Sequence, residues 1–389
     1  MLPLTPAIAA ELAEAVYEVM EPSETGIYNF PRTPELNAIF NFDLNNGPIR
    51  GSTGGFFGLY RRTSGFAVIG QGKAHYQGHH VVALRGTKTL NDKLTDANFG
   101  LSPSHGGPSV HAGFNTTFSS MKPLLEKQLN PQLRSDSAGL VHCVGHSLGG
   151  ALASLAADWI KARYQRPVNL YTFGAPRVGL EGFATQSTGS SHKIYRCTHG
   201  ADVVPKLPLW PFIHAPNQGA LEYRLDSGQG MSLGAHSMGV TGNPGYRNTA
   251  KGSDWSGLQK QSSDFLNQPV RLSYDRRHQA SFSGYWADRL NAALVTLLKD
   301  AGYYTLVVAQ AGIGTSLTFY DMLARTLENV AKASVHFAEQ TRGLLGHMLV
   351  FAGKTAITVG ELSYRFIRWV FDQTLGALYR IAKETLNQL

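Results

Sequence analysis

The 389-residue sequence is poor in cysteine and in charge. Its two cysteines, Cys143 and Cys197, both lie in apolar segments that we interpret as separate core strands. A further strand, at residues 170–173, is predicted to lie between them, and neighbouring strands are roughly 4.8 Å apart. Because a disulfide needs its two Cα atoms closer than about 7 Å, we expect two free, buried thiols.

The sequence also lacks the patterns of several ligand classes. Its 14 histidines include no H-E-x-x-H pair and no cysteine–histidine ligand set, so we expect neither a metal nor another cofactor. The net charge of +8 favours an anionic partner, but there is no Lys/Arg-rich block or aromatic–basic string, so nucleic acid is not expected. An anionic membrane surface is the better partner, unless the charge is only an excess of exposed lysine.

The N-terminus lacks the basic segment of a secretory signal. Glu11, Glu14 and Glu18 interrupt its apolar periodicity, which predicts an amphipathic helix beginning near Thr5–Pro6. We therefore expect a protein that is made in the cytoplasm without a Sec-type signal. It would leave by a route that needs no signal peptide, or associate peripherally with a membrane.

The residues that are present indicate a folded α/β protein. The chain is 43% apolar and contains 42 glycines, a composition typical of a globular, loop-rich protein. Residues 54–72 predict an antiparallel meander, and after it buried strands alternate with helices, which predicts a mainly parallel sheet. Sites in such sheets form beyond the carboxyl ends of the strands, where Thr87, Ser147 and Asp202 lie.

Ser147 lies between an apolar strand and an alanine-rich helix. The segment Gly145–Gly149, GHSLG, matches the G-x-S-x-G nucleophile elbow, in which the glycines let strand and helix pass closely around a strained serine. We expect an exposed Ser147 hydroxyl, with the N-terminus of the helix directed at any oxyanion beside it. The alternative is an ordinary turn in which the serine caps the helix.

A serine nucleophile needs a histidine base and a carboxylate that orients the base. Asp202 and His236 follow Ser147 in the order of serine, acid and histidine that accompanies this elbow. Asp202 comes after the strand that ends at Cys197, although an aspartate in a turn more often forms an Asx turn. For the base we favour His236, which follows the last core strand, over His278.

Two backbone N–H groups are candidates for an oxyanion hole. Leu148, directly after Ser147, supplies the first, and Thr87, in the loop after an earlier strand, supplies the second. The alternative is that Arg85–Thr87 merely ends a strand. His146, inside the elbow, is expected only to shape it.

Ordered motifs extend well beyond the elbow: VVALRGT with LTDA, VHAGF, VGHSLGGALASLAA, YTFGAPRVG and GADVVPKLP. Over about residues 75–240 this set resembles the class 3 lipases, the fungal-lipase-like family of α/β-hydrolases. The resemblance implies the α/β-hydrolase fold, and it maps the family's lid onto about residues 88–109, which are more polar here than the lid of many members. It assigns the triad and the oxyanion hole to Ser147, Asp202, His236, Thr87 and Leu148.

Residues 281–389 are predicted to form a helical extension to a lipase domain at residues 1–280. Residues 241–280 are polar and predict a loop or linker between the two. Residues 301–320 are long enough to cross a bilayer, but their glutamine, hydroxyl side chains and glycines make them a poor spanning helix. We expect the chemistry itself not to need the extension.

The last predicted helix has the composition of a helix that binds at a lipid interface. Its apolar members and basic flanks are Phe366, Ile367, Trp369, Val370, Phe371, Arg365, Arg368 and Arg380. The extension is therefore predicted to dock on a membrane or on a partner. The alternative is a set of buried helices packed on the lipase core.

The expected reaction is hydrolysis of acyl esters of glycerolipids, a lipase or phospholipase reaction, through an acyl-Ser147 intermediate. The extension and the missing signal resemble bacterial lipases that type VI secretion delivers as antibacterial effectors, which would imply a cognate inhibitor (immunity) protein as partner. The alternatives are an acyltransferase, an intracellular esterase and, less readily because no triad position is missing, a non-catalytic lipid-binding protein.

Overall fold

The computed structural model describes residues 2–387 apart from residues 25, 29, 31–32, 54–61, 88–99, 136–137, 220, 227, 240–244, 264–268 and 312–315. The strands in this part of the chain are β1 (Phe40–Phe42), β2 (Ile49–Thr53), β3 (Arg62–Gly72), β4 (His80–Leu84), β5 (Leu101–Pro103), β6 (Ser109–His111), β7 (Val141–His146), β8 (Val168–Phe173), β9 (Lys193–His199) and β10 (Tyr223–Asp226).

The α-helices in the described residues are α1 (Pro6–Ala15), α2 (Pro34–Ile39), α3 (Ala112–Leu133), α4 (Leu148–Tyr164), α5 (Glu181–Ser190), α6 (Tyr246–Ala250), α7 (Trp255–Ser263), α8 (Gly284–Asp300), α9 (Tyr304–Ala311), α10 (Ser316–Ala333), α11 (Val335–Phe351) and α12 (Tyr364–Asn387). Short 3-10 helices lie at Val16–Val19, Ala74–Tyr76, Val204–Lys206, Leu233–His236 and Tyr274–Gln279.

One large sheet organises the fold, with the strand order β1-β3-β4-β7-β8-β9-β10 and with β2 paired to β3. The five strands from β4 to β10 in this order run parallel to one another, whereas β1, β2 and β4 each pair antiparallel with β3. The predicted mainly parallel sheet is confirmed. The meander predicted within residues 54–72 is wrong for residues 62–72, its described part, because they form the single strand β3 without a turn. The protein has the α/β fold with additional C-terminal helices.

Both faces of the sheet are covered, which explains why β4, β7 and β8 are buried at every position. Side chains on one face, such as Cys143, join the apolar cluster that α3 and α4 complete. Their neighbours on the other face, such as Val144 and Tyr171, join a second cluster with α1. Helix α1 begins as predicted, because the side chain of Thr5 accepts a hydrogen bond from the Ile8 N–H.

The two thiols are free and buried, as predicted. Cys143 lies on β7 and Cys197 on β9, and β8 runs between these strands. Burial raises the pKa of both thiols, so they remain protonated side chains of the core.

The polar stretch at 241–280 is more structured than a linker. Its described part contains α6 and α7, and Tyr246, Ala250 and Leu258 are buried against the same face of the sheet as α1. The prediction of a loop or linker is wrong for these residues, because a few apolar side chains at helical spacing are enough to anchor two short helices.

The C-terminal helices share a core with the α/β unit. Leu290 of α8, Leu323 of α10 and Val370 of α12 belong to the same buried cluster as Trp159 of α4. The boundary at residue 280 stays a prediction. In the described residues no single helix is long and apolar enough to cross a membrane. Helices α8 and α9, which are bent by 115° relative to each other, reach the required length and apolar composition only when the two are taken together.

The apolar residues of α12 that were proposed for lipid docking differ in burial. Ile367, Val370 and Phe371 are buried, whereas Phe366 and Trp369 are half-buried with their rings 5.8 Å apart. Three of the five members therefore pack inward, as the alternative of a buried helix requires. Docking of this helix on a membrane or a partner stays a prediction.

Candidate active site

Ser147 occupies a strained turn between β7 and α4. Its φ of 57° and ψ of −131° are unusual for a residue with a Cβ atom. A Cβ built on Gly145 would lie 2.2 Å from the carbonyl oxygen of Gly149, and one built on Gly149 would lie 2.2 Å from that of Leu84. The predicted close passage of strand and helix is confirmed. The Ser147 side chain makes no capping hydrogen bond to the helix, so the alternative of an N-cap serine is wrong.

The structure brings Ser147, His236 and Asp202 together. His236 Nε2 lies 2.8 Å from Ser147 Oγ, and His236 Nδ1 lies 2.8 Å from Asp202 Oδ2. His236 ends the 3-10 helix Leu233–His236, and Asp202 follows β9. His278 lies elsewhere, exposed in the 3-10 helix Tyr274–Gln279.

All three of these side chains have no exposed surface. The expectation of an exposed Ser147 hydroxyl is therefore wrong for this form of the molecule. The Ser147 hydroxyl donates a hydrogen bond to His236 Nε2, and Gly86 packs so closely that a Cβ built on it would lie 2.9 Å from the Ser147 Cβ. A substrate reaches Ser147 only when the groups around it move. Of the predicted lid, residues 88–99 lie outside the described residues, and β5 and β6 form a hairpin within the remainder.

Asp202 is an ionised carboxylate inside the protein. Burial alone would raise its pKa, but the charge and hydrogen bond of His236, the Tyr246 hydroxyl and the Val204 N–H together hold the pKa below its ordinary value. The Val204 N–H donates to Oδ1 at 2.9 Å, so Asp202 also forms the Asx turn that was the alternative interpretation. Because the Asx turn uses Oδ1, the other carboxylate oxygen, Oδ2, accepts the hydrogen bond from His236 Nδ1.

Of the two candidate oxyanion donors, Leu148 is next to Ser147 in the chain and Thr87 is next to a residue that packs on Ser147. Leu148 is the first residue of α4, where backbone N–H groups have no partner within the helix. Thr87 follows Gly86, which packs on Ser147, at the carboxyl end of β4. An anion beside Ser147 would meet the positive end of the α4 dipole. The donor roles of Leu148 and Thr87 stay predictions.

Tyr246 is a contact that the sequence did not predict. Its hydroxyl donates to Asp202 Oδ2 at 2.7 Å and accepts a hydrogen bond from the His199 N–H at 3.0 Å. Its ring stacks on that of His199 with centroids 3.9 Å apart. Burial and the charge of Asp202 raise the pKa of Tyr246 well above its ordinary value, so the hydroxyl keeps its proton and continues to donate.

His146 does more than shape the elbow. Its Nε2 donates to the carbonyl oxygen of His236 at 2.7 Å, and its Nδ1 accepts from the Tyr17 hydroxyl at 2.7 Å. Burial lowers the pKa of His146 well below its ordinary value, so the ring is neutral and can accept. The backbone of Gly86 also bonds to Tyr17. The N-terminal segment therefore joins the loop before Thr87 to the backbone of His236.

Other histidines have structural contacts. His111 accepts from the Gly113 N–H at the start of α3, His214 donates to the carbonyl of Pro205, and His79 lies 3.0 Å from His142. In the part of the chain that the structure describes, no group of three or more histidine, cysteine or acidic residues is placed to hold a metal ion.

The variant Tyr246→Phe tests whether the hydrogen bond from the Tyr246 hydroxyl to Asp202 contributes to turnover. Hydrogen bonds to charged groups contribute roughly 1.5–3 kcal/mol, so we expect kcat on a soluble short-chain ester to fall about 10-fold to 100-fold, with KM little changed. Tyr223→Phe is the matched control, because Tyr223 is equally buried in the same apolar cluster. An equal loss in both variants, or a wild-type kcat for Tyr246→Phe, would remove Tyr246 from the site.

Comparison with known proteins adds a family match. Residues 81–212 match the family model described as Lipase (class 3). A secreted mono- and diacylglycerol lipase 1 from Fusarium solani is 35% identical over 153 residues, which are 38% of this chain and 44% of that protein. Toxin TseL from Vibrio cholerae serotype O1 is 39% identical over 107 residues, 27% of this chain and 16% of the toxin.

These matches are partial, because this chain spans less than half the length of either relative. Among solved structures, a mono- and diacylglycerol lipase from Aspergillus oryzae is 24% identical, with 66% of this chain and 95% of that one covered and a TM-score of 0.43.

Proposed function

We propose that this chain, whose residues 81–212 match the class 3 lipase family model, is a serine ester hydrolase that cleaves acyl esters of glycerolipids. The observation that supports this most directly is the continuous series of hydrogen bonds from Ser147 through His236 to Asp202, each 2.8 Å long. The strained backbone of Ser147 and the helix N-terminus behind it are the further parts that acyl transfer to a serine needs.

The proposed reaction has two halves. In the first, His236 Nε2 takes the Ser147 proton while Oγ attacks the ester carbonyl, and the oxyanion accepts hydrogen bonds from the N–H groups of Leu148 and Thr87. The ester C–O bond then breaks, and His236 returns the proton to the departing alcohol. In the second half His236 deprotonates a water, which attacks the carbonyl carbon of the acyl-Ser147. The bond from that carbon to Oγ breaks, His236 returns the proton to Ser147 Oγ, and the fatty acid is released. Asp202 holds the His236 tautomer throughout.

The substrate class is proposed from the relatives. One of them is named as a mono- and diacylglycerol lipase and another as a toxin. We propose that the substrates are acylglycerols or glycerophospholipids at a membrane surface, and that the protein is an antibacterial effector. An effector that attacks phospholipids would also need an inhibitor protein in the cell that makes it, and it would be released without a Sec signal.

Product analysis tests the proposal. Purified protein is incubated with vesicles of total bacterial lipid and, separately, with a diacylglycerol emulsion, and products are identified by mass spectrometry. We expect free fatty acid with lysophospholipid or monoacylglycerol, and none of these from Ser147→Ala. If neither lipid is cleaved the proposal fails, and acylated alcohols in place of free fatty acid would show an acyltransferase. Cleavage of diacylglycerol with intact bacterial phospholipid would argue against the effector role.

A further inference from the structure

The first turn of α8 contacts the two loops that carry Asp202 and His236. The N–H of Gly284 donates to the carbonyl of Gly230 at 3.2 Å, in the segment that leads to the 3-10 helix of His236. A Cβ built on Gly284 would lie 2.1 Å from the carbonyl oxygen of Gly200, two residues before Asp202. The extension therefore begins with its backbone against both loops, at a position where only glycine fits.

A partly buried ion pair joins α8 to the loop of Asp202. Lys206 ends the 3-10 helix Val204–Lys206, whose first N–H bonds to Asp202, and its Nζ lies 2.6 Å from Oδ2 of Asp288 in α8. Lys206 is buried, and a buried ammonium group is costly unless a carboxylate pairs with it.

The charges around this pair make Asp288 difficult to replace. Glu222 is nearby but lies 3.1 Å from Arg196 and 2.9 Å from Arg224, so two arginines already share it. Arg224 also lies 3.7 Å from Asp288. Asp288 thus supplies the carboxylate that Lys206 bonds to, from a helix outside the segment that matches the family.

The other catalytic loop has its own contact with the extension. Helix α12 packs against the 3-10 helix Leu233–His236. Both the acid and the base are thereby supported by helices of the extension, while Ser147 is held within the α/β unit by β7 and α4.

We propose, on the basis of the function proposed above, that the extension is part of the catalytic apparatus and that Asp288 is a positioning residue. Through Lys206 it fixes the loop that presents Asp202 to His236. A shift of about 1 Å in such a group costs on the order of 100-fold in rate. This inference replaces the expectation that the chemistry does not need the extension.

Asp288→Asn tests the proposal in the full-length protein, because it removes the charge and keeps the shape. We expect kcat on a soluble short-chain ester to fall at least about 10-fold while KM changes less than about twofold, the pattern of a lost transition-state contact. Asp288→Glu, which keeps the carboxylate, should lie between the asparagine variant and wild type. The control is Asp300→Asn in the same helix, which breaks the exposed pair with Arg271 and should leave kcat unchanged.

Hydrogen exchange at residues 200–208, measured on the same proteins, reports the position of the loop independently of turnover. We expect faster exchange there in Asp288→Asn than in Asp300→Asn. Unchanged kcat together with unchanged exchange overturns the proposal, and if the asparagine variant does not fold, the same criterion applies to Asp288→Glu. If wild type cleaves no ester, the proposed function fails, whereas the exchange result still decides whether Asp288 fixes the loop.

Discussion

Replacing Ser147 with alanine is expected to lower kcat for ester hydrolysis by about 10⁴-fold to 10⁶-fold, the usual cost of losing a triad member. The hydroxyl is 2.8 Å from His236 Nε2 and is the atom that would carry the acyl group, so no other group can take its place. The measurement is kcat on a soluble ester. More than about a hundredth of wild-type activity in the variant would show that Ser147 is not the nucleophile.

The same variant should remain folded. Alanine keeps the Cβ atom, so the strain at φ 57° is unchanged, and the loss of one neutral hydrogen bond costs roughly 1 kcal/mol of the free energy of unfolding. Ser154→Ala is a matched control, because Ser154 is a buried serine of α4 whose hydroxyl bonds to the carbonyl of Gly150. Its thermal midpoint should change by a similar amount, and its activity should be retained.

Replacing His236 with alanine is expected to abolish hydrolysis to the same extent as Ser147→Ala. Without the imidazole, nothing accepts the Ser147 proton, and Asp202 loses the group that it orients. Combining His236→Ala with Ser147→Ala should add little further loss, because triad residues act as a unit. The three kcat values, measured on one soluble ester, check this.

His278→Ala is the control for this experiment. His278 is exposed, and its loss should change kcat little. A large loss for His278→Ala together with a small one for His236→Ala would move the general base to His278. Multiplicative losses in the double variant would mean that Ser147 and His236 act in separate steps.

The features that the sequence predicted correctly are encoded locally. Gly145 and Gly149 flank Ser147 at fixed spacing, and their lack of a Cβ is what the turn requires. The start of α1 depends on Thr5 and Pro6, and the order of strands and helices follows from apolar periodicity. These patterns involve residues that are close together in the chain, so they can be recognised in a single sequence.

The contacts that were missed join distant segments. Tyr246 bonds to Asp202 from a stretch whose polar composition predicted a linker, and nothing in its own neighbourhood indicates that partner. The burial of Ser147 likewise depends on Gly86 and His236, which meet it only in the folded chain. Composition likewise did not show which apolar residues of α12 pack inward, as Ile367 and Val370 do. Tertiary packing decides such questions, and local pattern does not.

The support of His236 by α12 has a consequence for synthesis of the protein. Ser147 and His236 are 89 residues apart, and Lys206 and Asp288 are 82 apart, so these contacts cannot form until long stretches have been made. At about 5–20 residues per second, α12 is translated on the order of ten seconds after His236. On the proposal made above, a chain still on the ribosome has a nucleophile elbow without a positioned acid and base. Hydrolytic activity would then begin only after α12 has been made and has packed against the 3-10 helix of His236.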